Sequence, residues 1–140
     1  MLTIWEHLTV AKQAYEKATD TVCKKYGLKH REFEILMYLC DYPNQATATD
    51  IVKRLNLSKS HVSISLKSLE ENGLVIGEYI GSNRRTIFLR LTDKANEVIL
   101  DGKSAHVEFA NKLLSGFSKE EIESLVSYLK RVKKNVFSKF

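Results

Sequence analysis

One stretch of the chain decides the fold: LSKSHVSISLKSLEENGLV, residues 57–75. Ser58 is a typical helix N-cap, and Leu57 and Val62 occupy the two positions of a hydrophobic staple, which fixes the angle at which the chain enters a helix. Gly73 is a typical helix stop. The stretch therefore predicts a helix over residues 58–72, with a buried stripe formed by Val62, Leu66 and Leu69.

Three helices are predicted before this one. Residues 1–26 carry apolar side chains at three- and four-residue steps, which predicts one amphipathic helix, and the same pattern predicts a second helix over 29–40. A short third helix is expected to begin after Thr47, an N-cap with Asp50 three residues later. A break of three residues, 56–58, follows this short helix, and its last residue, Ser58, is the cap that opens the helix of residues 58–72.

After Gly73 the apolar pattern changes from a helical to a strand period. Residues 75–80 and 86–91 predict the two strands of a hairpin, and its tip, GSNRR at 81–85, is basic. Thr92 is expected to cap a long helix that ends at Gly116. Ser118 and Glu121 form a capping box, which predicts a last helix that runs to the C-terminus.

This order of elements predicts a winged helix-turn-helix in a mainly α (α+β) fold. We expect a DNA-binding lobe at 28–92, a dimerisation helix at 1–27 and dimerisation helices at 93–140, all in one structural domain. A lobe of this size cannot cover three further long amphipathic helices, so part of their apolar surface requires a second copy of the chain. The sequence therefore predicts a homodimer.

Composition restricts the class of protein. The chain has 140 residues, of which 44% are hydrophobic, and this is the range of one globular domain. Its two cysteines, Cys23 and Cys40, form no CxxC pair, which indicates a reducing compartment. The chain has no signal peptide and no apolar run of about 18 residues, so we expect a cytoplasmic protein without a membrane partner.

The candidate site is the outer face of the helix at 58–72 together with the hairpin tip. A helix-turn-helix places its second helix in the major groove, with the N-terminal residues of that helix at the base edges. The segment 53–94 holds eight cations and four anions, so its net charge of +4 is most of the chain's +5. The residues expected to contact double-stranded DNA are Ser58, Lys59, Ser60, His61, Ser63, Ile64, Lys67, Ser82, Asn83, Arg84 and Arg85.

Ile64 is the unusual member of this set, because it is apolar on a face that should be wet. Contact with a thymine methyl group would explain it. An ordinary exposed apolar residue, which any surface carries, would explain it equally. The sequence leaves both explanations open.

Residues 28–99 resemble the MarR family of winged-helix transcriptional regulators. The resemblance rests on TDIV at 49–52, LSKSHVS at 57–63, LEENGLV at 69–75, NRR at 83–85 and LTDKA at 91–95. It implies a homodimer that binds a palindromic operator, with Arg85 in the minor groove, and we expect this regulator to be a repressor. It also implies release of DNA by a small anionic or phenolic effector, whose binding residues the sequence does not identify.

Three positions depart from the family pattern. Asn83 stands where the family usually has an acid that braces the wing arginine, so we expect a looser wing in which Asn83 still forms hydrogen bonds within the loop. Ile64 stands where arginine is common. Lys29 stands where a Ser or Thr helix cap is common, at a cost of about 1 kcal/mol in stability.

Other functions fit the sequence less well. A winged-helix module that binds protein rather than DNA stays open, although the basic face and wing tip argue against it. The chain has no Gly-rich phosphate loop and no nucleophile elbow, so we expect no enzyme, no catalytic residue and no cofactor. Cys23 and Cys40 are expected to be inert structural thiols. No metal site is expected, because no two histidines are four residues apart among His7, His30, His61 and His106.

Overall fold

Helices make up most of the structure, a computed structural model that describes residues 2–44 and 46–140. The elements are α1 (Leu2–Tyr26), α2 (His30–Asp41), α3 (Ala48–Leu55), α4 (Lys59–Glu71), β1 (Val75–Glu78), β2 (Phe88–Leu91), a 3-10 turn (Asp93–Ala95), α5 (Asn96–Leu113) and α6 (Lys119–Lys139). This order confirms the predicted mainly α winged helix-turn-helix. Met1, the first residue of the predicted first helix, lies outside the described residues. None of the described helices is long and apolar enough to cross a membrane.

The chain divides into two compact units, Met1–His106 and Val107–Phe140. Helix α2 lies at the centre of the first unit, since seven of its twelve residues are buried, among them Phe33 and Leu36. Val62, Leu66 and Leu69 of α4 are buried as predicted, and Val75 and Leu89 extend the same core into the hairpin. The core therefore joins α4 and the hairpin to α2.

The start of α2 compensates for its unusual cap. Lys29 is the N-cap residue, and its ammonium group cannot accept a capping hydrogen bond from the backbone. Instead, the Glu32 carboxylate accepts a hydrogen bond of 2.8 Å from the backbone N–H of Lys29. One of the donors that a helix start leaves unpaired is thus satisfied from the N3 position, half of a capping box.

The hairpin is shorter than predicted. Its register pairs Val75 with Leu91 and Glu78 with Phe88, so residues 79, 80, 86 and 87 lie outside the ladder and the predicted strands 75–80 and 86–91 were too long. The reason is local. The Asn83 side chain accepts hydrogen bonds from the backbone N–H groups of Arg85 and Thr86, and this turn takes the place of pairing across the hairpin. Leu89 also forms a bridge to Ala46, just before α3, that the sequence did not indicate.

The prediction that Thr92 caps the long helix holds in position only, because Thr92 is the N-cap residue of the 3-10 turn that leads into α5 but its side chain forms no capping hydrogen bond. Its hydroxyl donates to the Gly73 carbonyl at 2.6 Å, and a 3-10 turn precedes α5, which begins at Asn96. The Thr92 N–H also donates to the Leu74 carbonyl, at 3.0 Å. Thr92 therefore joins the end of β2 to the end of α4, because the carbonyl at a helix end needs a donor.

Helices α1, α2 and α5 pack closely within the first unit. Lys25 and Tyr26 of α1 both donate to one carboxylate oxygen of Asp101 on α5, at 2.8 and 2.6 Å. One residue further along, Gly102 is buried where α5 meets the side chains of Phe33 and Met37 on α2. The absence of a side chain at Gly102 permits this approach.

Candidate nucleic-acid interface

The turn between α3 and α4 is fixed by local hydrogen bonds. At the start of α3, Thr47 and Asp50 form the predicted cap, with the Asp50 N–H donating to the Thr47 hydroxyl at 3.2 Å. Asn56 ends α3 in the left-handed region, at φ 53°, which Asn tolerates better than most residues. Ser58 then caps α4, accepting a hydrogen bond of 3.1 Å from the His61 N–H. The predicted helix-turn-helix frame is confirmed.

A Schellman motif ends α4. The Leu74 N–H donates to the Leu69 carbonyl at 2.9 Å, and the Gly73 N–H donates to the Glu70 carbonyl at 3.0 Å. Gly73 adopts φ +73°, a conformation that side chains disfavour. The Lys94 ammonium donates to the Asn72 carbonyl at 2.7 Å. Both ends of α4 are therefore held by named bonds, and its last turn is tied to the chain that leaves the hairpin.

Most of the outer face of α4 is exposed. Ile64 is 63% exposed, although it lies between the buried Val62 and Ser65 in sequence. Helical spacing also puts Ser68 on this face, but Ser68 is partly buried. The candidate residues of α4 and its cap that the structure brings together on the exposed side are Ser58, Lys59, Ser60, His61, Ser63, Ile64 and Lys67.

A groove of about 710 Å³ runs between α3 and α4. Its floor is apolar, with Val52, Val62 and Leu66. Its rim carries three lysines, three small residues and one acid. The rim residues, in that order, are Lys53, Lys59, Lys67, Ala48, Thr49, Ser63 and Glu70. The candidates from the sequence included neither Thr49 nor Lys53. The basic segment that begins at residue 53 signalled the charge of Lys53 but gave no signal for Thr49, and only the packing of α3 on α4 brings both beside the reading face.

The hairpin tip, residues 81–85, presents its two arginines differently. Arg84 folds back: its guanidinium donates to the Gly81 carbonyl at 3.1 Å and lies 5.4 Å from the centre of the Tyr79 ring. Arg85 is exposed, and its backbone N–H donates to the Asn83 side chain at 3.0 Å. The expected hydrogen bonding of Asn83 within the loop is confirmed, and the looseness of the wing stays a prediction. Arg85 is the arginine better placed to reach a partner.

A polar pair lies apart from this surface, between α1 and α5. The Tyr15 hydroxyl and His106 Nε2 are 2.9 Å apart, and the His106 ring meets the buried Phe33 ring edge-on at 5.7 Å. Burial lowers the pKa of His106, although the charge of Asp41 acts in the opposite direction. Burial also raises the pKa of Tyr15, to about 12. Both side chains are therefore held in their neutral forms near pH 7.

Cys23 shows no sign of reactivity. Cys23 is 2% exposed, and burial, reinforced by the charge of Asp20, raises the pKa of its thiol to about 11. Such a thiol stays protonated at neutral pH and is a weak nucleophile. Cys40 is also a free cysteine, partly buried. Within residues 2–44 and 46–140, no group of three or more His, Cys, Asp or Glu residues is arranged to hold a metal ion.

Comparisons with known proteins agree with this geometry. The profile of the MarR family matches residues 26–85. The HTH-type transcriptional regulator PecS of Dickeya dadantii (strain 3937) is 34% identical over 123 residues, which cover 86% of this chain and 74% of PecS.

Solved structures share the fold. The transcription regulator MarR from Oenococcus oeni PSU-1 superposes with a TM-score of 0.78 at 26% identity, covering 94% of this chain and 98% of its own. A MarR family regulator from Listeria monocytogenes, solved in complex with a 26mer DNA, gives a TM-score of 0.86 at 23% identity and covers 96% of this chain and 88% of its own. The same winged architecture thus occurs in a protein crystallised on DNA.

Proposed function

Because this chain belongs to the MarR family, we propose that it is a DNA-binding transcriptional regulator, and specifically a repressor that binds a palindromic operator in double-stranded DNA as a homodimer. One observation carries the proposal. The exposed face of α4 and its cap bears seven candidate residues, two of them lysines and none of them acidic, and the exposed Arg85 stands at the tip of the adjoining hairpin. A basic surface of this kind, with the acids of α4 confined to its C-terminal end at Glu70 and Glu71, suits a polyanion.

We expect α4 to enter the major groove and the hairpin tip to reach the neighbouring minor groove. Ser60, Ser63 and Lys67 would then face base edges or phosphates, and Arg85 would enter the minor groove. Lys53 and Lys59, at the rim of the groove between α3 and α4, are suited to phosphate oxygens. Ser82, Asn83 and Arg84 would shape the wing tip around Arg85.

Exposed apolar faces support dimerisation. No residue of α6 is buried, although Leu129, Val132 and Val136 are spaced to form one apolar stripe. In α1, Ile4 and Trp5 are 61% and 71% exposed. An amphipathic helix whose apolar stripe stays largely exposed needs a partner. Light scattering on the purified protein should therefore give twice the chain mass, and Leu129→Glu combined with Val132→Glu should lower it.

The proposal includes cytoplasmic localisation, an effector and no catalysis. The effector would be a small anionic or phenolic molecule, and the half-buried pair of Tyr15 and His106 is where we expect its polar contact. Thermal melting with and without phenolic carboxylates tests this part. A Tyr15→Phe variant should lose any stabilisation that such a compound gives.

Gel shifts with genomic fragments at moderate salt test DNA binding. We expect retardation of a few fragments by the wild type and its loss when Lys67, Arg84 and Arg85 are all replaced by alanine. The charge-matched control replaces the exposed Lys17, Lys103 and Lys139, which lie outside the helix-turn-helix and the hairpin. Undiminished binding by the first triple variant would contradict the docking. If the wild type retards no fragment, a protein-binding winged-helix module is the better explanation.

A further inference from the structure

The chemistry of α4 points to how it distinguishes bases. We propose that Ile64 reads the 5-methyl group of a thymine in each operator half-site, so that α4 selects sequence by an apolar contact rather than by paired hydrogen bonds. The inference rests on the proposed function and adds a specific base to it.

The fold does not explain the isoleucine at position 64. The buried side of α4 is complete without it, since Val62 and Leu69 are 1% and 0% exposed while Ile64 is 63% exposed. Helix stability does not explain it either, because a β-branched residue loses side-chain freedom in a helix and forms helices less well than Lys, Arg or Ala. An apolar side chain that serves neither the core nor the helix is available for contact with a partner.

The neighbours of Ile64 place it on the reading face. One turn before it stand Ser60 and His61, one turn after it stands Lys67, and all three are exposed. Ser63 and Lys67 also line the groove between α3 and α4, whereas Ile64 is not among the residues that line it. Ile64 therefore projects outward from the lobe, at the centre of the surface that would meet the major groove.

The rest of α4 lacks the side chains that usually discriminate bases. Between Lys59 and Glu71 there is no Arg, Asn or Gln, whose planar groups pair in a bidentate manner with guanine or adenine, and the only such partners for guanine are Lys59 and Lys67. Serine hydroxyls both donate and accept, so they distinguish bases weakly. Lys67 offers a single flexible charge. The apolar contact of Ile64 is therefore the one contact of α4 that would single out thymine, because thymine alone presents a methyl group in the major groove.

The test removes that methyl group from DNA. The operator is first selected from a random duplex library with the wild-type protein, and each thymine of a half-site is then replaced in turn by deoxyuridine. One replacement should weaken wild-type binding about fourfold, and about 15-fold when made in both half-sites, which is what burying one methyl group at each site is worth. The Ile64→Ala variant should bind the thymine and deoxyuridine duplexes with affinities less than about twofold apart.

Two matched variants complete the experiment. Ile64→Val keeps the branched carbon and should retain most of the preference for thymine. Ser63→Ala can lower affinity for both duplexes, but the ratio between them should stay as in the wild type. A thymine preference that is equal in the wild type and in Ile64→Ala, or no deoxyuridine effect at any position, overturns the inference while leaving DNA binding intact. If the wild type selects no duplex at all, the proposed function fails first, and the inference fails with it.

Discussion

Replacing Gly102 with alanine would measure how closely α5 packs on α2. A Cβ atom at this position would lie 2.7 Å from Met37 Sδ and 2.9 Å from Phe33 Cε1, both too close for undisturbed packing. The thioether of Met37 is flexible and can move aside. The Phe33 ring has less freedom, because it is fully buried and its other contacts include the His106 ring. The new methyl group therefore has to displace an aromatic ring in the core.

Two effects of opposite sign set the size of the change. Alanine forms helices better than glycine by about 1 kcal/mol. Overpacking a core costs about 1–3 kcal/mol. With the ring restrained as it is, we expect overpacking to exceed the helix term, so Gly102→Ala should lower the free energy of unfolding by about 1 kcal/mol.

Urea unfolding followed by circular dichroism would measure this change, at one fixed protein concentration because a dimer's stability depends on concentration. The exposed Ser104, two residues further along α5, provides the control. At position 104, the free energy of unfolding should be higher with alanine than with glycine by about 1 kcal/mol, the full difference in helix propensity. If replacing glycine by alanine raises the free energy of unfolding as much at position 102 as at position 104, the close approach of α5 to Phe33 is refuted.

Substitutions at three further positions probe the wing and the polar pair. Arg85→Ala should reduce the slope of log K against log salt by about 0.9 for each phosphate that the side chain neutralises, and Arg85→Lys should keep that slope; an unchanged slope in the alanine variant would remove Arg85 from the interface. Asn83→Ala should speed hydrogen exchange of the wing amides and weaken operator binding, because two backbone N–H groups lose their acceptor, whereas Asn83→Asp keeps an acceptor; identical exchange in all three proteins would count against this role. The pKa of His106 is lower in the folded protein than in the unfolded chain, so on acidification the unfolded chain takes up the proton before the folded protein does. The contribution of His106 to the free energy of unfolding is therefore present above pH 6.5 and is lost as the pH falls below that value. In the variant His106→Gln, the free energy of unfolding should fall less steeply with pH below pH 6.5 than in the wild type. An equally steep fall would mean that other groups cause this pH dependence.

The parts of the fold that the sequence predicted are those in which cause and effect lie close together in the chain. Ser58 caps α4 through the N–H of His61, only three residues away, and Ser118 caps α6 through Glu121 in the same way. Such bonds are visible as residue spacing. Thr92 looked like another cap, but its hydroxyl bonds instead to Gly73, nineteen residues earlier in the chain. Choosing between these partners requires knowledge of the packing.

The candidate site follows the same division. The reading face of α4 was predictable because helical periodicity alone separates Ile64 and Lys67 from the buried stripe. Thr49 and Lys53 belong to another helix, and their place beside that face depends on how α3 packs on α4. In the wing, the β propensity of residues 79 and 80 favoured longer strands, but the local turn at Asn83 satisfied the backbone first.

The bonds from Thr92 and Lys94 to the end of α4 have a consequence for the choice of DNA. They tie the base of the hairpin to the reading helix, so they constrain the distance between α4 and that base even if the hairpin tip is looser. We expect a duplex to bind best when the distance between its major and minor grooves matches the distance between α4 and the hairpin. We therefore expect two sites with the same contacted bases to bind differently when the sequence between them makes the duplex stiffer or narrows its minor groove. Binding would then depend on the shape of the operator as well as on the bases that the protein contacts.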